Sequence, residues 1–220
     1  MTTLDFYTNP MSRGQIARWM IEETGVSYTQ HLMEYGETMK GPDYRAINPM
    51  GKVPAIVHQG RVVTECAAIC AFLAQAFPDA GLGPHADEAA DYYRWLFFGA
   101  GPLEQAITNR AMGWSVDDPQ KQGMLGYGHY DLVVDTLADW LADRDYICGS
   151  RFTAADVYVG AQVMWGQAFG SLPVRDSFAA YAARLDIRPA YIRAKAIDDA
   201  LIAAQSSRDA KAAEAEGTAA

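Results

Sequence analysis

The segment Asn48-Pro-Met-Gly-Lys-Val-Pro-Ala-Ile56, with Thr64-Glu-Cys66 soon after, carries the clearest chemical signal in the chain. Pro54 has no N–H to give a sheet ladder, so it belongs at the first position of a strand. There it leaves the backbone N–H and C=O of Val53 free to bind something peptide-like. A cis Val53-Pro54 bond would turn those groups outward, but only about 5–6% of X-Pro bonds are cis, so the residues alone predict trans. Past a short hairpin, a helix starts at Glu65-Cys66. Its first turn offers unpaired N–H groups and a partial positive charge, which together receive a carboxylate. The same spacing also fits an ordinary hairpin with a packing helix.

Ser12 is the second chemical signal. It lies between a first strand and a first helix, where a hydroxyl is either a plain N-cap or a donor beside an anion held at the helix start. Tyr7, at the end of the first strand, reads as a core or site-lining aromatic. Glu65 is either an acid favoured in a first helical turn or an acceptor for an ammonium group. Lys52 is a loop lysine within reach of a carboxylate. Cys66 is a weak donor at a helix start, where a thiol also gains acidity and reactivity.

Taken in order, Tyr7-Thr-Asn-Pro-Met-Ser12-Arg-Gly, the Val53-Pro54 segment with Glu65-Cys66, and Phe152-Thr-Ala-Ala-Asp156 resemble the cytosolic glutathione transferases, most closely the serine-type bacterial, theta and delta branches. The resemblance runs from about residue 4 to about residue 200. It implies a thioredoxin-like domain followed by an all-helical one. It implies a cis bond before Pro54, with the Val53 backbone receiving the cysteinyl part of glutathione. Glu65 and residue 66 would hold the γ-glutamyl end, and Lys52 the glycyl carboxylate. Ser12 would donate a hydrogen bond to the glutathione sulfur; Tyr7 stands where other branches of the family place their activating tyrosine and is the rival of Ser12, otherwise lining the site. Cys66 departs from the pattern, since the family usually has a serine there. The implied function is activation of glutathione, the co-substrate, as a thiolate that attacks a small hydrophobic electrophile. The alternatives are a non-catalytic ligand-binding or interaction protein on the same fold, and a thiol–disulfide oxidoreductase acting through Cys66. A homodimer, a detoxification role and a cytoplasmic location follow from the same resemblance.

The bulk properties agree. The chain has 220 residues, half of them hydrophobic and 20% charged, enough to build a full core. A net charge of −9 argues against nucleic acid or an anionic membrane as partner, both of which call for a basic face. An anionic ligand then needs local cations, and Arg13, Arg18, Lys40 and Lys52 are the candidates. Three cysteines without C-x-x-C spacing fit a reducing compartment. The start of the sequence shows no signal peptide, and no apolar run approaches the ~20 residues of a membrane span. Four scattered histidines predict no metal site.

The elements that must position these groups read as βαβ followed by ββα over residues 1–80, with strands at Leu4–Tyr7 and Val26–Met33, a helix at Gln15–Thr24 and a polar loop at Glu34–Lys40. Pro78-Asp-Ala-Gly-Leu-Gly-Pro84 suggests the boundary, with 81–87 as linker. Helices are then expected at Ala89–Ala111, Pro119–Asp143, Ala154–Ala168, Ser177–Leu185 and Pro189–Ala204, within an all-α domain at 88–205 that would line the electrophile pocket. Phe97, Phe98, Trp114, Trp165 and Phe169 are its aromatic candidates. Residues 206–220, rich in Ala and Glu, read as a disordered tail. Thr153-Ala-Ala-Asp156 is a capping box with no catalytic part.

Overall fold

A computed structural model describes residues 4–218. Strand β1 (Leu4–Thr8) alternates: Leu4, Phe6 and Thr8 are buried while Asp5 and Tyr7 face the other side and are partly exposed. Helix α1 (Gly14–Thr24) buries Ile16, Ala17, Trp19, Met20 and Ile21 and stops at Gly25, whose left-handed φ of 69° is the expected terminator. Strand β2 (Tyr28–Leu32) then runs parallel to β1.

The expected polar loop Glu34–Lys40 ends in a short helix, α2 (Glu37–Lys40), and a second, α3 (Pro42–Ile47), follows it. Each is too short to show a helical period. They form because Met39 and Tyr44 can be buried against Ala55, with Tyr7, Met33, Ile47 and Val53 packed around them. Strands β3 (Ala55–His58) and β4 (Arg61–Val63) form an antiparallel hairpin through Gln59 and Gly60, whose φ values of 52° and 74° make the primed turn that matches strand twist. The sheet order is β2-β1-β3-β4, the thioredoxin-like arrangement.

Helix α4 (Cys66–Ala76) and a 3₁₀ turn (Pro78–Ala80) lead to an all-helical region. The helix expected over Ala89–Ala111 is α5 (Ala89–Phe98) and α6 (Glu104–Ala111), joined by a π-turn at Gly99–Leu103 around Pro102. The one expected over Pro119–Asp143 is instead broken: α7 (Pro119–Gln122) ends at Gly123, and α8 (Tyr130–Ala142) begins only after Gly126 and Gly128. Helix α9 (Ala154–Ala168) has the expected bounds and capping box, and α10 (Asp176–Asp186) follows.

Helix α11 (Pro189–Thr218) corrects the expected tail, since residues 206–218 continue the helix; their Ala, Glu and Lys content favours helix over coil. Residues 219–220 lie outside the described residues. The chain divides into two compact units away from the punctuation cluster at 78–84: one runs to Cys66 and takes in the chain from Pro189, the other is Ala67–Arg188. The last helix joins the first unit because it packs along α1, where Trp19 meets Tyr191 edge-on at 5.0 Å. No described helix is long and apolar enough to cross a membrane.

Candidate active site

Asn9-Pro10-Met11-Ser12-Arg13 connects β1 to α1. Asn9 is buried and works with both ends of its amide: Oδ1 accepts the Met11 N–H at 2.9 Å, and Nδ2 donates to the Met33 carbonyl at 2.8 Å. The turn it fixes presents Ser12, half-buried, at the start of α1. The Ser12 hydroxyl donates to the Asn9 carbonyl at 2.6 Å and accepts the Gly14 N–H at 2.9 Å. Here Ser12 closes the turn just ahead of α1, whose N-cap position is Arg13. Gly14 is required by contact: a Cβ there would lie 2.0 Å from the Thr8 Oγ1.

A second Asn-Pro-Met turn works the same way. Asn48, also buried, accepts the Met50 N–H on Oδ1 at 3.1 Å and donates from Nδ2 to the Lys52 carbonyl at 2.8 Å. The Tyr44 hydroxyl donates to that same carbonyl at 2.6 Å. Two donors thus hold the residue just before Val53. The Val53-Pro54 bond is cis, as the resemblance implied and the residue types alone did not. Among the described residues nothing bonds the Val53 backbone. The Lys52 side chain is exposed, and Lys40 turns to the Met50 and Gly51 carbonyls at 3.2 and 2.5 Å.

Glu65 is exposed and carries a φ of 62°, a left-handed backbone that a glutamate adopts at a cost of order 1 kcal/mol or more. Its Oε1 accepts from the Thr64 hydroxyl at 3.3 Å. Cys66 follows, buried, and its thiol donates to the Arg13 carbonyl at 3.4 Å. The start of α4 and the turn holding Ser12 are therefore in direct contact, although 53 residues separate the bonded pair.

Tyr7 shares a packing cluster with Val53. Its ring stacks on His31 at 4.4 Å and tilts against Tyr44 at 5.6 Å, joining the cluster that also packs Val53. Burial, with the Asp5 carboxylate adding to it, raises its phenol above the ordinary range, so it is held as a neutral packing ring. Among the proposed cations, Arg18 is corrected outright. Its side chain is wholly buried, donates to the Asp198 carboxylate at 2.9 Å and the Tyr28 hydroxyl at 2.8 Å, and lies over the Phe6 ring. It is unavailable to any ligand.

Asn9, Tyr44 and Asn48 hold these two turns, a part that residue types alone did not single out for them. The repeated Asn-Pro dipeptide is the signal that would have found two of them, because Asn before Pro closes a turn on its own side chain. Arg18–Asp198 had no local signal, its partners being 180 residues apart.

A thioredoxin-like unit with a receptive cis-proline backbone and a serine at the first helix, followed in sequence by an all-helical unit, defines the two-part architecture of proteins that handle small thiols. Residues 11–76 match the profile of the glutathione S-transferase N-terminal domain. Glutathione S-transferase GstA of Escherichia coli O157:H7 is 31% identical over 153 residues, 68% of this chain and 75% of that protein. Glutathione S-transferase GST-4.5 of Xanthomonas campestris pv. campestris is 30% identical over 60% of this chain and 68% of its own. The theta class glutathione S-transferase of Xanthomonas axonopodis pv. citri, solved with glutathione bound, superposes with a TM-score of 0.67 at 25% identity, covering 88% and 97% of the two chains. This chain belongs to the glutathione S-transferase family, and is an enzyme of that kind.

Proposed function

We propose that the first unit binds glutathione across Val53, Glu65 and Cys66 and that Ser12 activates its sulfur. The carrying observation is the bond from the Cys66 thiol to the Arg13 carbonyl, which fixes the carboxylate-ready start of α4 against the turn bearing Ser12. Glutathione laid along the Val53 backbone, with its γ-glutamyl end on Glu65 and the first N–H groups of α4, brings its sulfur to the start of α1. Lys52 meets the glycyl carboxylate.

Ser12 then changes partner. Its proton now goes to the neutral Asn9 carbonyl; a thiolate is the stronger acceptor, because bonds to ionised groups are about twice as strong as neutral ones. The Gly14 N–H keeps the oxygen in place meanwhile. A cysteine thiol near pKa 8.5 would fall by about one to three units with such a donor at a helix start. The thiolate attacks a small hydrophobic electrophile, with positioning and anion stabilisation supplying the rate. Cys66 serves through its N–H and its packing, since its sulfur is buried and engaged. On the same reading the chain acts as a homodimer of the serine-type branch, in the cytoplasm, in detoxification.

Ultraviolet difference spectroscopy tests it. Glutathione added to the pure protein near neutral pH gives a saturable thiolate band that Ser12→Ala shifts to higher pH. Binding without that band would return Ser12 to the role of closing the turn ahead of α1.

A further inference from the structure

A cavity of about 540 Å³ lies wholly within the second unit, between α6, the 113–117 loop and the start of α8, and no residue assigned to glutathione lines it. Its volume is that of a small-molecule site. One wall is a charged platform: the Arg110 guanidinium sits 4.1 Å from the centroid of the Tyr130 ring, and that ring is anchored by its hydroxyl on the Ser171 carbonyl at 2.7 Å. Stacking holds the guanidinium plane while leaving its N–H edge for a bidentate acceptor. Among the described residues no carboxylate pairs with Arg110, although Asp117 and Asp131 line the same cavity.

Beside those two carboxylates the cavity also has donors. The Tyr127 hydroxyl accepts from Asn109 Nδ2 at 3.0 Å and keeps its own proton to give. His129 accepts the Leu132 N–H on Nδ1 at 3.2 Å as the cap of α8, which puts its proton on Nε2. Trp114 brings an exposed indole with one N–H and a broad apolar face. The Arg110 guanidinium on its ring, with the Tyr127, His129 and Trp114 donors near it and two carboxylates farther along the lining, matches a flat apolar molecule ending in a single carboxylate.

We propose that this cavity binds aryl carboxylates, with Arg110 taking the carboxylate and Trp114 and Tyr130 the ring. This goes beyond the glutathione reading and does not depend on it. The test is calorimetric titration of the full chain with 2-naphthoate, and with 2-naphthamide as a neutral molecule of the same shape. Wild type binds naphthoate saturably and at least about tenfold more tightly than naphthamide, the share expected of a charged hydrogen-bonded pair. Arg110→Gln, with an unchanged melting temperature, loses that tenfold preference and binds both alike. Trp114→Ala weakens both. Equal naphthoate affinity in Arg110→Gln, equal affinity of wild type for the two probes, or no saturable naphthoate binding would each overturn the proposal. Should Arg110→Gln melt early, the two probes on wild type decide alone.

Discussion

Replacing Arg18 by Met removes one half of a buried ion pair and gives a measurable, pH-dependent loss of stability. The side chains of Arg18 and Asp198 are 0% and 2% exposed, so the carboxylate left behind has no water to turn to. Removing one partner of such a pair typically costs about 3–5 kcal/mol. The Tyr28 hydroxyl also loses its donor, so we expect about 4 kcal/mol, and for a chain of this size a melting temperature about 8–16 °C lower. Burial pushes Asp198 up to about 6 even with Arg18 drawing it down, and without Arg18 it rises further. A carboxyl raised in the folded state favours the protonated form there, so its stability is full at low pH and lost as pH climbs through the folded pKa. The wild type completes that loss near pH 7, whereas the variant goes on losing. The deficit therefore opens between pH 6 and pH 8 and is smallest near pH 5. Urea titrations followed by tryptophan fluorescence at pH 5.5 and 8 measure both. Adding Asp198→Leu should recover most of the deficit and remove its pH dependence. A deficit equal at the two pH values, or a double variant no better than the single, would refute the reasoning.

The remaining predictions concern the turn and the second unit. Ser12→Ala loses the activating donor, and kcat/KM at neutral pH should fall about tenfold for each unit the thiol pKa rises, while Tyr7→Phe stays near wild type; steady-state rates across pH separate the two. Gly14→Ala puts a methyl on the Thr8 hydroxyl and should cost about 1–3 kcal/mol in denaturant titration, with activity falling too because the Ser12 turn is displaced. Asp156→Ala should lower stability by more than about 3 kcal/mol. Its carboxylate accepts from Ile147 N, Thr153 N, Thr153 Oγ1 and the Tyr181 hydroxyl, so four donors are stranded where a simple cap would account for about 1 kcal/mol. That loss should come without a change in thiol pKa among molecules that fold.

Sheet order, the hairpin, α1 and α9 were legible because each has its own local signal: a two-residue alternation, a turn with glycine, a C-terminal glycine, a capping box. The parts that were not legible depend on distance or brevity. Met39 and Tyr44 sit in helices of four and six residues and are ordered by Ala55, not by their neighbours. The break before α8 needed weight on Gly123, Gly126 and Gly128 over the amphipathic pattern running through them. For the proposed site, Ser12, Val53, Pro54 and Cys66 stand out by residue type and order, but the left-handed backbone of Glu65 and the reach of the Cys66 thiol to Arg13 appear only in three dimensions. Arg18 looked like a surface cation because its counter-charge lies near the other end of the chain.

That separation bears on how the molecule is made. The first unit contains Ser12, Val53, Glu65 and Cys66, yet it takes its last helix from Pro189 onward. During synthesis the sheet and α1 leave the ribosome early, and Arg18 then waits for Asp198 while the entire second unit is translated. The N-terminal unit cannot reach its final packing in the order in which it is made; it is completed only near the end of translation, after the inserted unit has had time to fold. A ribosome stalled before Asp198 would hold a chain whose Arg18 still lacks both its mate and the helix that covers it.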